Sequence, residues 1–252
     1  MQFTEEQTER YSRNIILPEI GGSGQTELLK SKVLVIGAGG LGSPAALYLA
    51  AAGVGNLGIV DDDKVVLSNL QRQILHTSSE IGNAKTDSTN RKLTDLNPDV
   101  EVTPYNQRLT TANAGDILKD YDFVIDGTDN FSSKFLIADT CHYSDKPYSH
   151  AGVLGWEGQT ITVIPGRTTC YRCIFPSPPQ DNAVPSCAQA GVLGVVPGVI
   201  GTIQATEAIK YLLEKGQLLT DRLLTYNALS MNFRHVPIQK KAECPLCGKN
   251  PE

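Results

Sequence analysis

The sequence has no long apolar run and no excess of positive charge. Its most apolar stretch, residues 190–203, is short and contains four glycines and Pro197, so it predicts buried backbone and not a membrane span. The 22 basic and 27 acidic residues give a net charge of −5, which argues against a nucleic-acid partner. The polar start, Met1-Gln-Phe-Thr-Glu-Glu, does not look like a signal peptide, so we expect a cytoplasmic protein that does not enter a membrane.

Histidine and tryptophan are scarce. The four histidines, His76, His142, His150 and His235, show neither metal-ligand nor catalytic-triad spacing, so the sequence assigns them no role. The single tryptophan, Trp156, is expected to pack in the interior. No internal repeat or low-complexity tract is present.

What the chain does contain is a β–α alternation. With 252 residues, 40% of them hydrophobic, it can form one large domain or a domain with an appendage. Strands are predicted at 33–36, 57–60, 100–104 and 123–126, and helices at 41–52, 85–96 and 131–143. After residue 147 the pattern favours antiparallel strands at 158–164, 223–227 and 233–238, and a helix at 202–213. This predicts an α/β, Rossmann-like, mostly parallel sheet extended by antiparallel strands.

A glycine motif follows the first predicted strand. Gly37, Gly39 and Gly42 have the G-x-G-x-x-G spacing between a strand and a helix, and Asp61 closes the next strand. The glycine turn presents helix N-terminal amides to a phosphate, and the acid can accept hydrogen bonds from ribose hydroxyls. The motif predicts a nucleotide, but it does not separate NAD from ATP.

Two cations and an acid favour a triphosphate. Arg72 follows the Ser68-Asn69-Leu70-Gln71 segment, Lys85 begins a predicted helix, and Asp129 follows a strand at the sheet edge where such folds bind ligands. Each alone would be interpreted as a surface charge. Together, fixed cations and an acid suited to Mg²⁺ match the charge of ATP.

Four of the six cysteines form two C-x-x-C pairs. Cys170, Cys173, Cys244 and Cys247 can complete a closed, structural zinc site of four thiolates that pins the C-terminal tail to the middle of the chain. A thioredoxin-like redox pair would leave one of the two pairs unexplained.

The remaining two cysteines differ in setting. Cys187 stands in a predicted surface loop, residues 176–190, that is rich in proline and polar residues, where it is either an accessible nucleophile or an incidental surface thiol. Cys141 lies on an apolar predicted helix and is expected in the core.

Taken together, these motifs resemble one family. They comprise residues 10–17 (RYSRNIIL), 37–42 (GAGGLG), 68–73 (SNLQRQ), 126–130 (DGTDN) and the two cysteine pairs. Their types and order resemble the ThiF/MoeB/HesA family, the bacterial relatives of ubiquitin-activating enzymes, over nearly the whole chain. Asn14 is a small departure, since glutamine is common there.

The resemblance implies an activity. Members adenylate the C-terminal glycine of a ubiquitin-like sulfur carrier protein with MgATP and release pyrophosphate, and a sulfur donor then gives a carrier thiocarboxylate. The carrier would serve thiamine, molybdopterin or another thio-cofactor. No rhodanese-like domain follows Cys247, so we expect a separate sulfur donor of the cysteine desulfurase or rhodanese type.

The resemblance also implies roles for particular residues. Asp129 would hold Mg²⁺, and Arg13 would reach the phosphates from the partner subunit of a homodimer. Cys187 matches a loop cysteine that links covalently to the carrier in ThiF-like members. The residues carried over to the nucleotide site are Gly37, Gly39, Gly40, Gly42, Asp61, Ser68, Asn69, Leu70, Gln71, Arg72, Lys85, Asp129 and Asn130.

Residues 1–252 are expected to form a single adenylating domain, with an N-terminal helical arm (1–30), a nucleotide-binding half (31–150) and a carrier-binding half with the zinc site (151–252). Two other functions remain open at this point. One is an NAD-dependent oxidoreductase on the same fold, which would leave Arg72 and the zinc tail without a role. The other is a non-catalytic, zinc-stabilised scaffold that binds a ubiquitin-like protein.

Overall fold

The computed structural model describes residues 3–180 and 187–249, and only the backbone of residues 187 and 188. Within these residues, eight strands form one sheet in the order β3-β2-β1-β4-β5-β6-β7-β8. The strands are β1 Lys32–Ile36, β2 Asn56–Val60, β3 Glu101–Tyr105, β4 Phe123–Asp126, β5 Tyr148–Leu154, β6 Glu157–Val163, β7 Arg222–Asn227 and β8 Asn232–Pro237. The pairs from β3 through β5 are parallel and those from β5 through β8 are antiparallel, so the predicted fold class is confirmed.

The helices cover both faces of the sheet. They are α1 Glu5–Arg10, α2 Ser12–Ile15, α3 Gly21–Lys30, α4 Gly42–Ala52, α5 Lys85–Leu96, α6 Ala114–Leu118, α7 Phe131–Tyr143, α8 Tyr171–Ile174, α9 Cys187–Ala190 and α10 Val195–Leu212. Short 3₁₀ turns occur at Leu67–Asn69 and Ser78–Glu80. None of the helices in the described ranges is long and apolar enough to cross a membrane.

The unbroken apolar sequence of β1 follows from its central position. Leu34 points to one face, where it packs in a core with side chains of α6 and α7. Val33 and Val35 point to the other face, into a core built with α4, α5 and α10. A strand buried on both faces needs apolar residues at every position, because successive side chains alternate between faces.

The structure corrects three expectations in the second half of the chain. β5 was not predicted, although it is the strand that joins the parallel and antiparallel parts of the sheet. Helix α10 begins at Val195, well before the predicted start at residue 202. Trp156 does not pack in the interior: it lies in the β5–β6 turn and is 45% exposed.

The early start of α10 has a packing reason. Gly201, which favours a break in a sequence pattern, faces α4, and a Cβ there would lie 2.2 Å from the carbonyl oxygen of Leu41. Pro197 lies in the first turn, where a missing N–H costs no intrahelical hydrogen bond. The residues that look like helix breakers therefore permit a close helix–helix contact.

The strand order reverses between β1 and β4, and two glycines meet there. A Cβ on Gly37, whose φ is +93°, would lie 2.8 Å from the carbonyl oxygen of Gly127, and a Cβ on Gly42 would lie 1.7 Å from that of Gly37. Open α/β sheets bind ligands at this switch point, beyond the carboxyl ends of the strands. The glycine turn is therefore packed against the next strand end at the place where a ligand is expected.

We expect Gly42→Ala to lower the free energy of unfolding by about 3 kcal/mol or more, because the added methyl group overlaps the Gly37 carbonyl. The matched control is Gly198→Ala, which is also helical and has no atom within 4 Å of the added Cβ, so it should be neutral or stabilising by up to about 1 kcal/mol. Urea unfolding of both variants measures the difference. Equal stabilities would contradict the close approach.

Candidate active site

The site begins at the glycine turn and the N-terminus of α4. Gly37 follows β1, Gly42 is the first residue of α4, and no side chain caps the helix at Leu41. Uncapped N-terminal amides and the helix dipole favour a negatively charged group. Gly37, Gly39 and Gly40 line the pocket described below, whereas Gly42 is buried behind the turn.

Asp61 and Lys85 lie beside this turn. Asp61 Oδ2 accepts a hydrogen bond from the backbone N–H of Ala38 at 2.8 Å. Lys85, the first residue of α5, places Nζ 2.8 Å from Asp63 Oδ2 and 3.9 Å from Asp61 Oδ1. Burial raises the pKa of Asp61 above its usual value, and the ammonium of Lys85 opposes that shift. The carboxylate keeps free lone pairs, so it can still accept hydrogen bonds from a sugar.

The segment after β2 presents Arg72. A 3₁₀ turn at Leu67–Asn69 leads into it, and Arg72 Nη1 donates to the carbonyl oxygen of Ser68 at 3.2 Å. Arg72 and Gln73 line the pocket, and Gln73 is buried beside the glycine turn. Four residues carried over to the nucleotide site do not line the pocket but shape the segment: Ser68, Asn69, Leu70 and Gln71.

The third part of the site is the turn between β4 and α7. Asn130 is the N-cap of α7, and its Oδ1 accepts a hydrogen bond from the backbone N–H of Ser133 at 2.9 Å. Asp129 precedes it and is exposed at the pocket. The helix cap fixes where α7 begins, and thereby places Asp129 at the carboxyl end of β4.

A pocket of about 280 Å³ brings these parts together at the strand switch point. Of the predicted site residues, it gathers Gly37, Gly39, Gly40, Asp61, Arg72, Lys85, Asp129 and Asn130. Such a pocket combines helix amides, two cations and carboxylates, which suits a phosphate-bearing ligand and a divalent cation.

Sequence reasoning missed part of the lining. Gln107, Arg108 and Leu109 enter the pocket after β3, next to the strand that ends at Asp61. Their position after a parallel strand is a signal that could have found them. The other lining residues that were not predicted are Asp62, Asp63, Gln73, Thr128, Ser133, Val153, Val192 and Pro197.

Arg13 and Cys187 lie outside this pocket or outside the described atoms. Arg13 is exposed on α2 and does not line the pocket of its own chain. Cys187 begins α9, but its side chain is not among those described, and most of the predicted loop before it lies outside the described residues. Its predicted role stays a prediction.

The four paired cysteines meet in one cluster. Their Sγ atoms all lie within 4.8 Å of one another. Cys170 and Cys244 are 3.5 Å apart, as are Cys173 and Cys247, and the Cys170–Cys173 distance is 3.8 Å. A tetrahedral zinc with four thiolates needs S···S distances of about 3.8 Å. The cluster therefore fits a closed tetrahedral ion, and Cys141 is buried in the core as predicted.

Burial raises the pKa of the Cys247 thiol to about 11. A thiol in such a place ionises at neutral pH only when a cation compensates the charge, because thiolates are the ligands of the metal. The chemistry of the cluster agrees with its geometry.

Comparison with known proteins identifies relatives along the whole chain. The model of the ThiF family matches residues 11–246. The chain is 47% identical over 243 residues to the SAMP-activating enzyme E1 of Haloferax volcanii, with 96% of this chain and 90% of the relative covered. It is 44% identical over 256 residues to the sulfur carrier protein adenylyltransferase of Thermus thermophilus, covering 100% of this chain and 94% of the relative.

A longer relative shares only part of its length with this chain. The adenylyltransferase and sulfurtransferase MOCS3 of Arabidopsis thaliana is 48% identical over 246 residues, which covers 97% of this chain and 53% of the relative. Among solved structures, E. coli MccB with ATP matches with a TM-score of 0.83 at 22% identity, covering 94% of this chain and 74% of that chain. At such identity the likeness to MccB shows the fold alone.

We expect about one zinc per chain in the purified protein, and we expect Cys244→Ser to lose zinc and stability together, because it removes a thiolate and releases the tail. Cys141→Ala is the matched control, since it changes a buried cysteine outside the cluster and should retain zinc. Metal analysis and thermal unfolding measure both effects. A stable wild-type protein without metal would contradict the assignment.

Proposed function

Because the chain belongs to the ThiF family, we propose that it is an adenylyltransferase that uses ATP to activate the C-terminal glycine of a ubiquitin-like sulfur carrier protein. The printed names of two relatives, a sulfur carrier protein adenylyltransferase and a SAMP-activating enzyme, support this class of substrate. The observation that carries the proposal is the pocket in which the glycine turn meets Arg72, Lys85 and Asp129. An NAD-dependent oxidoreductase would leave Arg72 and the cysteine cluster without a role.

The reaction is a substitution at phosphorus. A carboxylate oxygen of the terminal glycine attacks the α-phosphorus of ATP and forms an acyl–phosphate bond. The bond from that phosphorus to the oxygen bridging to the β-phosphate breaks, and pyrophosphate leaves with the electron pair. The carboxylate is already ionised near pH 7, so no general base is required.

Charge and position supply the catalysis. Arg72 and Lys85 offset the repulsion between a carboxylate and a triphosphate, and the amides of the glycine turn bind phosphate oxygens. Asp61 accepts hydrogen bonds from the ribose. Asp129 holds Mg²⁺, which offsets phosphate charge when it is bound with ATP. These roles extend the carried-over assignments to the positions that the pocket brings together.

A homodimer completes the site in this proposal. Arg13 lies on α2, away from the pocket of its own chain, so it would reach phosphates only in a partner subunit. Ile16, Leu17 and Tyr48 are large exposed apolar residues on the same N-terminal arm and on α4, which suits a surface that a second copy covers.

The second half of the chain serves the carrier and the sulfur step. Residues 31–150 bind the nucleotide, and residues 151–252 bind the carrier and hold a structural zinc in the cysteine cluster. After adenylation, sulfur from a separate donor of the cysteine desulfurase or rhodanese type replaces AMP on the acyl group. The cytoplasm is the proposed compartment.

The proposal predicts carrier-dependent exchange of labelled pyrophosphate into ATP. Asp129→Asn should reduce the exchange rate about 100-fold or more, because the Mg²⁺ ligand is lost. Asp116→Asn is the control, since Asp116 is an exposed carboxylate on α6 outside the pocket. Full exchange in Asp129→Asn would contradict the magnesium assignment, and no exchange with any ubiquitin-like carrier would contradict the function.

Cys187→Ala should keep pyrophosphate exchange and impair formation of the carrier thiocarboxylate. Adenylation needs no thiol, whereas transfer of the acyl group to sulfur can use one. Mass spectrometry of the carrier after incubation with ATP and a sulfur donor measures the second step, with Cys141→Ala as the matched cysteine control. Undiminished thiocarboxylate would show that Cys187 is dispensable, and loss of exchange would place it at the nucleotide site instead.

A further inference from the structure

A buried charged cluster lies directly behind the turn that carries Asp129. Asp126, Lys134 and His150 are 1%, 7% and 2% exposed, and none of them lines the pocket. Asp126 ends β4, Lys134 lies on α7, and His150 lies on β5. The proposed chemistry uses none of the three, so their burial needs another explanation.

Lys134 joins three segments through one ammonium group. Its Nζ donates to the carbonyl oxygens of Thr128 at 2.7 Å and Ala151 at 2.6 Å, and it lies 3.3 Å from Asp126 Oδ2. The turn after β4, the middle of β5 and the end of β4 are thus tied together. All three donors of the ammonium have an acceptor, which is the condition for burying such a group.

Asp126 holds the other side of the same peptide segment. Its Oδ1 accepts hydrogen bonds from Thr128 N at 3.1 Å and from Thr128 Oγ1 at 2.6 Å, and its Oδ2 accepts one from His150 Nδ1 at 2.8 Å. A carboxylate can only accept, so the proton of the imidazole is on Nδ1. Burial opposes ionisation of Asp126, but Lys134 and His150 outweigh it and hold its pKa well below the usual value.

The hydrogen bonds of this cluster converge on Thr128. Its N–H is bound by Asp126, and its C=O, which belongs to the peptide that begins Asp129, is bound by Lys134. A buried ion pair adds little net stability compared with apolar packing, because removing two charges from water costs several kcal/mol. What this pair does provide is a fixed orientation for the peptide groups on both sides of Thr128.

The imidazole is itself held from the side of the cysteine cluster. The ring of Tyr171, between Cys170 and Cys173, lies 4.6 Å from the ring of His150, centroid to centroid, and 5.0 Å from that of Phe135 on α7. The cysteine cluster therefore packs against the histidine and against the helix that follows Asp129.

We propose that Asp126, Lys134 and His150 are positioning residues that orient the Thr128–Asp129 peptide, so that the carboxylate of Asp129 faces the pocket ready to hold Mg²⁺. The inference rests on the proposed function for the role of Asp129. Positioning residues behind metal ligands typically change metal affinity about 10–100-fold when they are removed.

The test separates the hydrogen bond from the packing of the ring. His150→Leu removes the Nδ1 donor, whereas His150→Asn places an amide N–H near the position of Nδ1. Isothermal titration calorimetry with ATP, in excess Mg²⁺ and in excess chelator, measures the gain in affinity that Mg²⁺ provides. We expect His150→Leu to lose that gain by roughly tenfold or more, to bind ATP without Mg²⁺ like the wild type, and His150→Asn to restore most of the gain.

Lys134→Met tests the ammonium in the same way, and Lys210→Met is its matched control. Lys210 is also a helical lysine that pairs with a buried carboxylate, Glu207, and binds a backbone carbonyl, but it lies outside the pocket and the turn. The control should lower thermal stability and leave the Mg²⁺ effect unchanged. If Lys134→Met fails to fold, Thr128→Val, compared with Thr128→Ser, removes one hydrogen bond to Asp126 and takes its place.

Three results would overturn the inference. The first is a folded His150→Leu or Lys134→Met with the wild-type Mg²⁺ effect, and the second is equal loss of ATP affinity with and without Mg²⁺. The third is His150→Asn behaving like His150→Leu, which would assign the effect to ring packing. Pyrophosphate exchange by the wild type is measured separately, so a failure of the proposed function is distinguishable from a failure of the positioning role.

Discussion

The site depends on one close backbone approach, at which the chain of Gly37 passes against both Gly42 and Gly127. Side chains cannot be placed there, since a Cβ on Gly42 would overlap the Gly37 carbonyl. The approach brings the end of β1, the start of α4 and the end of β4 to one point, which is also where the strand order reverses. The helix amides and the turn that carries Asp129 therefore face one pocket because the backbones can touch.

Electrostatics in the pocket are local and differ from those of the whole chain. The protein carries a net charge of −5, yet the pocket holds Arg72 and Lys85 beside helix amides. Lys85 is almost fully buried, and it stays compensated by Asp63 and Asp61. Buried cations with acidic neighbours keep their positions before a ligand arrives, and preorganised charge costs no rearrangement when an anion binds.

The sequence was sufficient for features that depend on local pattern. The apolar run of β1, the glycine spacing and the two cysteine pairs each have a physical reason that is visible in the chain, and the structure confirms the fold and brings the four cysteines together. It was insufficient where tertiary contacts decide. Gly201 reads as a helix breaker until α4 is seen against it, and His150 has no sequence partner, because its carboxylate lies on a neighbouring strand.

The same limit explains why the role of the second half was hard to infer from the residues alone. β5 supplies His150 to the back of the Asp129 turn, and the segment between Cys170 and Cys173 supplies the tyrosine that packs on that histidine. A closed four-thiolate site has no open coordination position, so it can act on chemistry only through what it holds in place. Here it holds a buried ring behind a turn of the pocket. A C-terminal tail that is remote in sequence thereby becomes part of the support of the nucleotide half, and the two halves share one packed interior on that face of the sheet.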